Sequence, residues 1–102
     1  MRRVLFAALV FASPAMAQGP VGDAAAGMGI ARTWCSNCHV VDTAPAKAVD
    51  NVPSFPAIAA MPSTTEMSLQ AFLTTPHGQM PNFQLTRQQI DDAVAYILSL
   101  RK

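Results

Sequence analysis

Residues 35–39 read Cys35-Ser36-Asn37-Cys38-His39, two thiols three positions apart with a histidine directly after the second. The CxxCH pattern is the signature of covalent attachment of a c-type haem. Two thiols at this spacing can add to the two vinyl groups of one porphyrin, and the histidine is carried beneath the ring as an iron ligand. Cys35 and Cys38 are therefore the expected thioether residues of one haem c, and His39 the expected proximal ligand of its iron.

Attachment of this kind takes place outside the bacterial cytoplasm, so the reading requires export. Arg2 and Arg3 give a positive start, the run 4–12 is apolar, Pro14 breaks it, and Ala15-Met16-Ala17 forms an A-x-A cleavage site before Gln18. The apolar run falls short of the roughly 20 residues that a spanning helix needs. Residues 1–17 are thus expected to be a cleaved secretory signal peptide, and residues 18–102 one domain in the periplasm without a stable membrane anchor.

A domain of 85 residues, the 102 of the chain less 17, buries little by itself and is often completed by a metal, disulfide or cofactor. A haem would supply a large apolar plate for the helices to pack on, and the apo chain is expected to fold poorly. Removing Arg2 and Arg3 leaves five basic residues against six acidic ones, a net charge of −1. That balance argues against nucleic acid and gives no broad basic face for anionic lipid. Docking to partners is expected to be weakly steered by charge.

The hydrophobic pattern is helical throughout, and no segment alternates like a strand. Asp23 stands where a helix cap is expected, and a first helix is predicted over 24–34, with Gly27, Ile30 and Ala31 on one face. Prolines 45, 53 and 56 make 40–56 mostly irregular, with one short turn over 55–60 ended by Met61-Pro62. A second helix is predicted over 65–74, capped by Ser63 and Glu66, with Met67, Phe72 and Leu73 as its apolar contacts. The terminal helix has the strongest signal: Thr86 and Gln89 form a capping box, Ile90, Ala93, Val94, Ile97 and Leu98 share a face, and Arg101 and Lys102 favour the C-terminal end of the dipole. The predicted fold is all-α, with three principal helices and long connections wrapped around one covalent haem.

The second axial position decides whether such a protein carries electrons or binds small molecules. Met80 lies in an irregular loop ahead of the terminal helix, and Pro81 holds it extended. It is the expected distal iron ligand. A neutral, soft thioether favours ferrous iron and closes the coordination sphere, which suits electron transfer. Met61, also followed by proline, and His77 are its rivals. Met61 sits in an apolar run that suits a core role, and Met28 and Met67 lie in helical patterns as packing residues. A thiol oxidoreductase would need a βαβ context, and a zinc module four well-placed ligands.

Together, CSNCH near the mature N-terminus, Met80-Pro81 and a terminal helix containing Tyr96 resemble the small class I cytochromes c of bacteria over essentially the whole mature chain. The resemblance implies a cytochrome c-like fold whose first and last helices cross, with Gly27 against the aromatic Tyr96. It also implies that the Pro53 carbonyl accepts the proton of the ligand histidine. Ala31 departs from it, where many relatives carry an aromatic. Trp34 beside Cys35 suits equally a packing role and one at the haem edge. The function implied is a non-enzymatic periplasmic monohaem carrier. It would pass single electrons between a dehydrogenase or membrane complex and an oxidase or reductase. A dedicated cytochrome subunit of a periplasmic dehydrogenase and a haem-based ligand sensor are the alternatives.

Overall fold

The computed structural model describes residues 4–11, 21–43, 51–75 and 80–102, which contain helices and no strands. The expected cleavage site, Pro45 and His77 lie outside the described residues. Residues 4–11 form no helix and are exposed throughout. No helix among the described residues is long and apolar enough to cross a membrane.

Four α-helices are found among the described residues: α1 (Ala24–Ile30), α2 (Phe55–Ala60), α3 (Glu66–Thr74) and α4 (Arg87–Ser99). Helix α1 starts at Asp23, whose carboxylate accepts the amides of Ala25 and Ala26. It does not run as α-helix to residue 34. From Ala31 to Cys35 it widens into a π-turn, in which the Ser36 amide reaches the Ala31 carbonyl at 3.0 Å. Such π-turns are rare and collect at functional sites, and this one delivers the chain directly into residues 35–39.

Ser54 caps α2 by accepting the Ala57 amide, and Met61 ends it. Helix α3 is capped by a reciprocal pair, but the pair is Thr65 with Ser68, not Ser63 with Glu66. Leu69 is the helix's buried residue and Met67 is 78% exposed, so the expected packing role of Met67 is corrected. The Thr86 and Gln89 box of α4 forms as predicted.

Helix α4 is the spine of the molecule, and its side chains are buried without a break from Asp92 to Ile97. The predicted stripe covers only part of this, because α1 closes over the other side. The two backbones approach so closely that a methyl group on Gly27 would fall onto the Asp92 carbonyl and within 2.8 Å of Tyr96 Cβ. Gly27 and Tyr96 thus meet at the crossing of α1 and α4. Gly29 faces open space, so its lack of a side chain serves no packing need.

Asp92 is a buried acid whose part the sequence pattern did not reveal. Its Oδ1 accepts the Asp23 amide at 2.9 Å and the Gln88 side-chain amide at 2.8 Å, which fastens the start of α1 to α4. Arg101 and Lys102 lie beyond the helix end and give it no charge in its last turn. Arg101 instead donates to the carbonyls of Ala59 and Thr64 at 3.0 and 2.5 Å, tying the α2–α3 connection to the C-terminus. Ala31 is fully buried in a cluster with Phe55, Val94 and Tyr96, so the crossing is closed although the expected aromatic is missing.

Candidate functional site

After the π-turn the chain makes one further turn, in which the amides of Cys38 and His39 both donate to the Cys35 carbonyl, at 3.1 and 2.9 Å. Positions three and four apart on such a turn share a face. Cys35, Cys38 and His39 accordingly line one cleft, joined there by Met80 from the loop before α4.

The cleft has two lobes. The outer lobe, about 450 Å3, brings the four predicted site residues together with Trp34, Phe72 and Phe83. The inner lobe, about 390 Å3, is almost wholly apolar and runs between α3 and α4 to Leu69, Ala93 and Ile97. Cys35, His39 and Met80 border both lobes. Volumes of this size, largely apolar with a few placed polar groups, suit a cofactor.

The His39 ring is held in one orientation. Its Nδ1 lies 2.6 Å from the Pro53 carbonyl oxygen. A carbonyl only accepts, so Nδ1 carries the proton and Nε2 keeps its lone pair for a metal. Phe55 packs beside the ring at a centroid distance of 5.2 Å. Both thiols are free of disulfide. Burial, with a smaller contribution from Cys38, pushes the Cys35 thiol above its ordinary range. A reactive thiol pair needs the opposite shift, and with no strand in the described residues the thiol oxidoreductase reading loses its support. Among the described residues no group of three or more His, Cys, Asp or Glu side chains could hold a metal ion, so zinc finds no ligand set there.

Met80 enters the cleft from a loop that turns back on itself. The Asn82 side chain accepts the Gln84 amide at 2.9 Å, with Gln84 in the left-handed region at φ 50°, a conformation uncommon for a residue with a side chain. Met61 borders the inner lobe but not the outer one, and at 43% exposure it is not the core residue expected of it. Met28 packs against the core as predicted. Sequence patterns missed Phe83, which sits in an aperiodic loop yet stacks obliquely on Trp34 with centroids 5.9 Å apart. That contact, with both rings on the outer lobe, gives Trp34 its place at the cleft.

Behind the site, the Arg32 guanidinium pairs with Asp42 at 3.2 and 3.3 Å, and the Tyr96 hydroxyl bonds both the Val41 carbonyl and Asp42. The bond from Arg32, then that from Tyr96, holds the Asp42 carboxyl below its ordinary range. A carboxyl lowered on folding binds fewer protons in the folded state. Its contribution to stability is therefore present in full above its ordinary value near 3.8 and is lost as the pH falls through the lowered folded value. Thermal unfolding of the wild type and of Asp42→Asn as a function of pH should show the wild type ahead at neutral pH and the gap closing below pH 4. Both partners are largely exposed, at 55% and 37%, so added salt should shrink the gap as well. A gap that persists unchanged at low pH would sink the assignment.

Comparison with known proteins bears on the same stretch of chain. The family described as cytochrome c oxidase, cbb3-type, subunit III matches residues 22–97. Cytochrome c-552 of Bradyrhizobium diazoefficiens is 44% identical over 79 residues, covering 78% of this chain and 76% of that protein. No solved structure matches.

Proposed function

The chain belongs to the c-type cytochromes, in the family of cbb3-type cytochrome c oxidase subunit III, and from that membership we propose that it is a periplasmic monohaem one-electron carrier. Membership in this family carries with it one covalently bound haem c. The group supplies, when bound, an iron that cycles between ferrous and ferric states without making or breaking bonds in a substrate. In this reading Cys35 and Cys38 would form the two thioethers, and His39 Nε2 and the Met80 sulfur would hold the iron. Residues 1–17 are removed on export.

One observation carries the reading: both thiols, a histidine with Nδ1–H committed to Pro53, and Met80 border a single apolar cleft. The residues fit the cofactor in kind, two sulfurs for attachment and one nitrogen and one thioether for the iron. Fixing Nδ1–H on a carbonyl sets the tautomer and makes the imidazole a better donor. The largely apolar lining of the inner lobe, with a thioether available to the iron, supports carriage of electrons over catalysis at an open metal position. The protein in this reading turns over no substrate of its own. The description of the family points to a terminal oxidase on the accepting side, with a dehydrogenase or membrane complex as donor.

Expression of the whole chain with haem-attachment machinery tests this reading. It should yield residues 18–102 with a haem band that survives acid and organic extraction, and a reduced form that binds carbon monoxide slowly. No charged side chain of the described residues lines the outer lobe. Electron exchange with an oxidase should accordingly change by less than about threefold over an approximately tenfold rise in ionic strength, where strong steering would cost one to three orders of magnitude. Absence of covalent haem would end the cytochrome reading; rapid carbon monoxide binding would turn it into a ligand sensor.

A further inference from the structure

Resting on the reading of His39 as an iron ligand, we infer that the Tyr96 hydroxyl is a positioning group for the His39 imidazole, acting from α4 through the Val41 carbonyl. Three successive residues leaving the attachment motif are each joined by a hydrogen bond to a later part of the chain. His39 Nδ1 donates to Pro53 O at 2.6 Å, the Phe55 amide donates to Val40 O at 2.8 Å, and the Tyr96 hydroxyl donates to Val41 O at 2.6 Å.

The first two bonds join residues 39–40 to residues 53–55 as one small frame. Neither ties that frame to a principal helix. The third does, because Tyr96 stands on α4, with the Phe55 ring between it and His39 at centroid distances of 6.5 and 5.2 Å. Tyr96 and Val41 are each 5% exposed. Water therefore cannot readily replace the hydroxyl, and deleting it leaves a buried carbonyl without its donor.

The phenol has a single proton and two acceptors, Val41 O at 2.6 Å and Asp42 Oδ1 at 3.0 Å. The shorter bond runs to Val41. Asp42 already has Arg32, so the carboxylate is an accessory to the arrangement. Slack in the frame would lengthen the bond from Nδ1 to Pro53, make the imidazole a weaker donor to ferric iron and raise the reduction potential.

The test uses holoprotein labelled with nitrogen-15. In the wild type, the His39 Nδ1 proton should be paramagnetically displaced in the ferric state and slow to exchange in the ferrous state. Tyr96→Phe should move that resonance, speed its exchange about fivefold and raise the potential, while Asp42→Asn leaves all three unchanged. A Tyr96→Phe protein indistinguishable from wild type overturns the inference, as does an Asp42→Asn protein altered to the same degree. A wild-type Nδ1 proton with no paramagnetic displacement overturns the ligand reading itself, and this inference with it. Should Tyr96→Phe not fold, exchange in the unaltered protein decides. His39 Nδ1–H and the Phe55 amide should open with the same denaturant dependence as the α4 amides, and independent local opening would overturn the inference.

Discussion

Met80→Ala holoprotein should lose the sulfur-to-iron charge-transfer band at the red end of the ferric spectrum, and its reduction potential should fall by on the order of 0.1–0.3 V. Axial ligation commands a span of about 0.8 V in haem proteins, and exchanging a thioether for water or a stray nitrogen removes the ligand that favours ferrous iron. The expectation rests on placement. Met80 borders both lobes of the cleft together with His39, whereas Met61 borders only the inner one and is 43% exposed. Pro81 restricts the backbone that presents Met80, and the turn closed by Asn82 and Gln84 returns the chain to α4. Met61→Ala should therefore leave band and potential unchanged. Retention of the band in Met80→Ala with loss in Met61→Ala would transfer the ligand role to Met61. A bis-histidine spectrum in the wild type would transfer it to His77.

The features legible in the sequence are those that a few neighbouring residues determine. Residues 35–39 state their chemistry by spacing, Thr86 and Gln89 state where α4 begins, and Asp23 states the start of α1. Met80 stood out because it is a methionine followed by proline in an aperiodic loop, and the structure brings it to the cleft that His39 borders. The misreadings arise where distant parts of the chain decide the outcome. Thr65, not Ser63, caps α3, and Met67 faces solvent because the helix buries Leu69 instead. Asp92 carried no signal at all, since its role depends on the Asp23 amide, 69 residues away, reaching its carboxylate. Arg101 reads as a charge on a helix end until the carbonyls of Ala59 and Thr64 claim it. Phe83 gave no periodic signal at all, since its partner Trp34 comes from the far end of the domain.

Gly27→Ala should be a severely damaging single-methyl change, lowering the melting temperature of the holoprotein by about 8 °C or more or abolishing its accumulation. The added carbon would fall onto the Asp92 carbonyl, and it would lie 2.8 Å from Tyr96 Cβ. Both neighbours are fixed parts of a helix, not ends of flexible side chains, so the only relief is to move α1 away from α4. That movement stretches the bond from the Asp23 amide to Asp92, which holds the start of α1, and it uncovers the cluster around Ala31, Val94 and Tyr96. Overpacking of a rigid contact costs about 3 kcal/mol or somewhat more, and each kcal/mol is worth about 4–8 °C in a domain of this size. Helix propensity acts in the opposite sense, since alanine gains about 1 kcal/mol over glycine, and the contact must overcome that gain as well. Gly29→Ala supplies the control on the same helix: its methyl meets nothing within 4 Å, so propensity alone should act and leave the protein as stable as the wild type or slightly more so. Equal melting temperatures for the two variants would mean that α1 and α4 are not in backbone contact at Gly27. A large loss confined to Gly27→Ala would place the crossing of the two helices, and with it the anchoring of Tyr96 behind His39, at that one missing side chain.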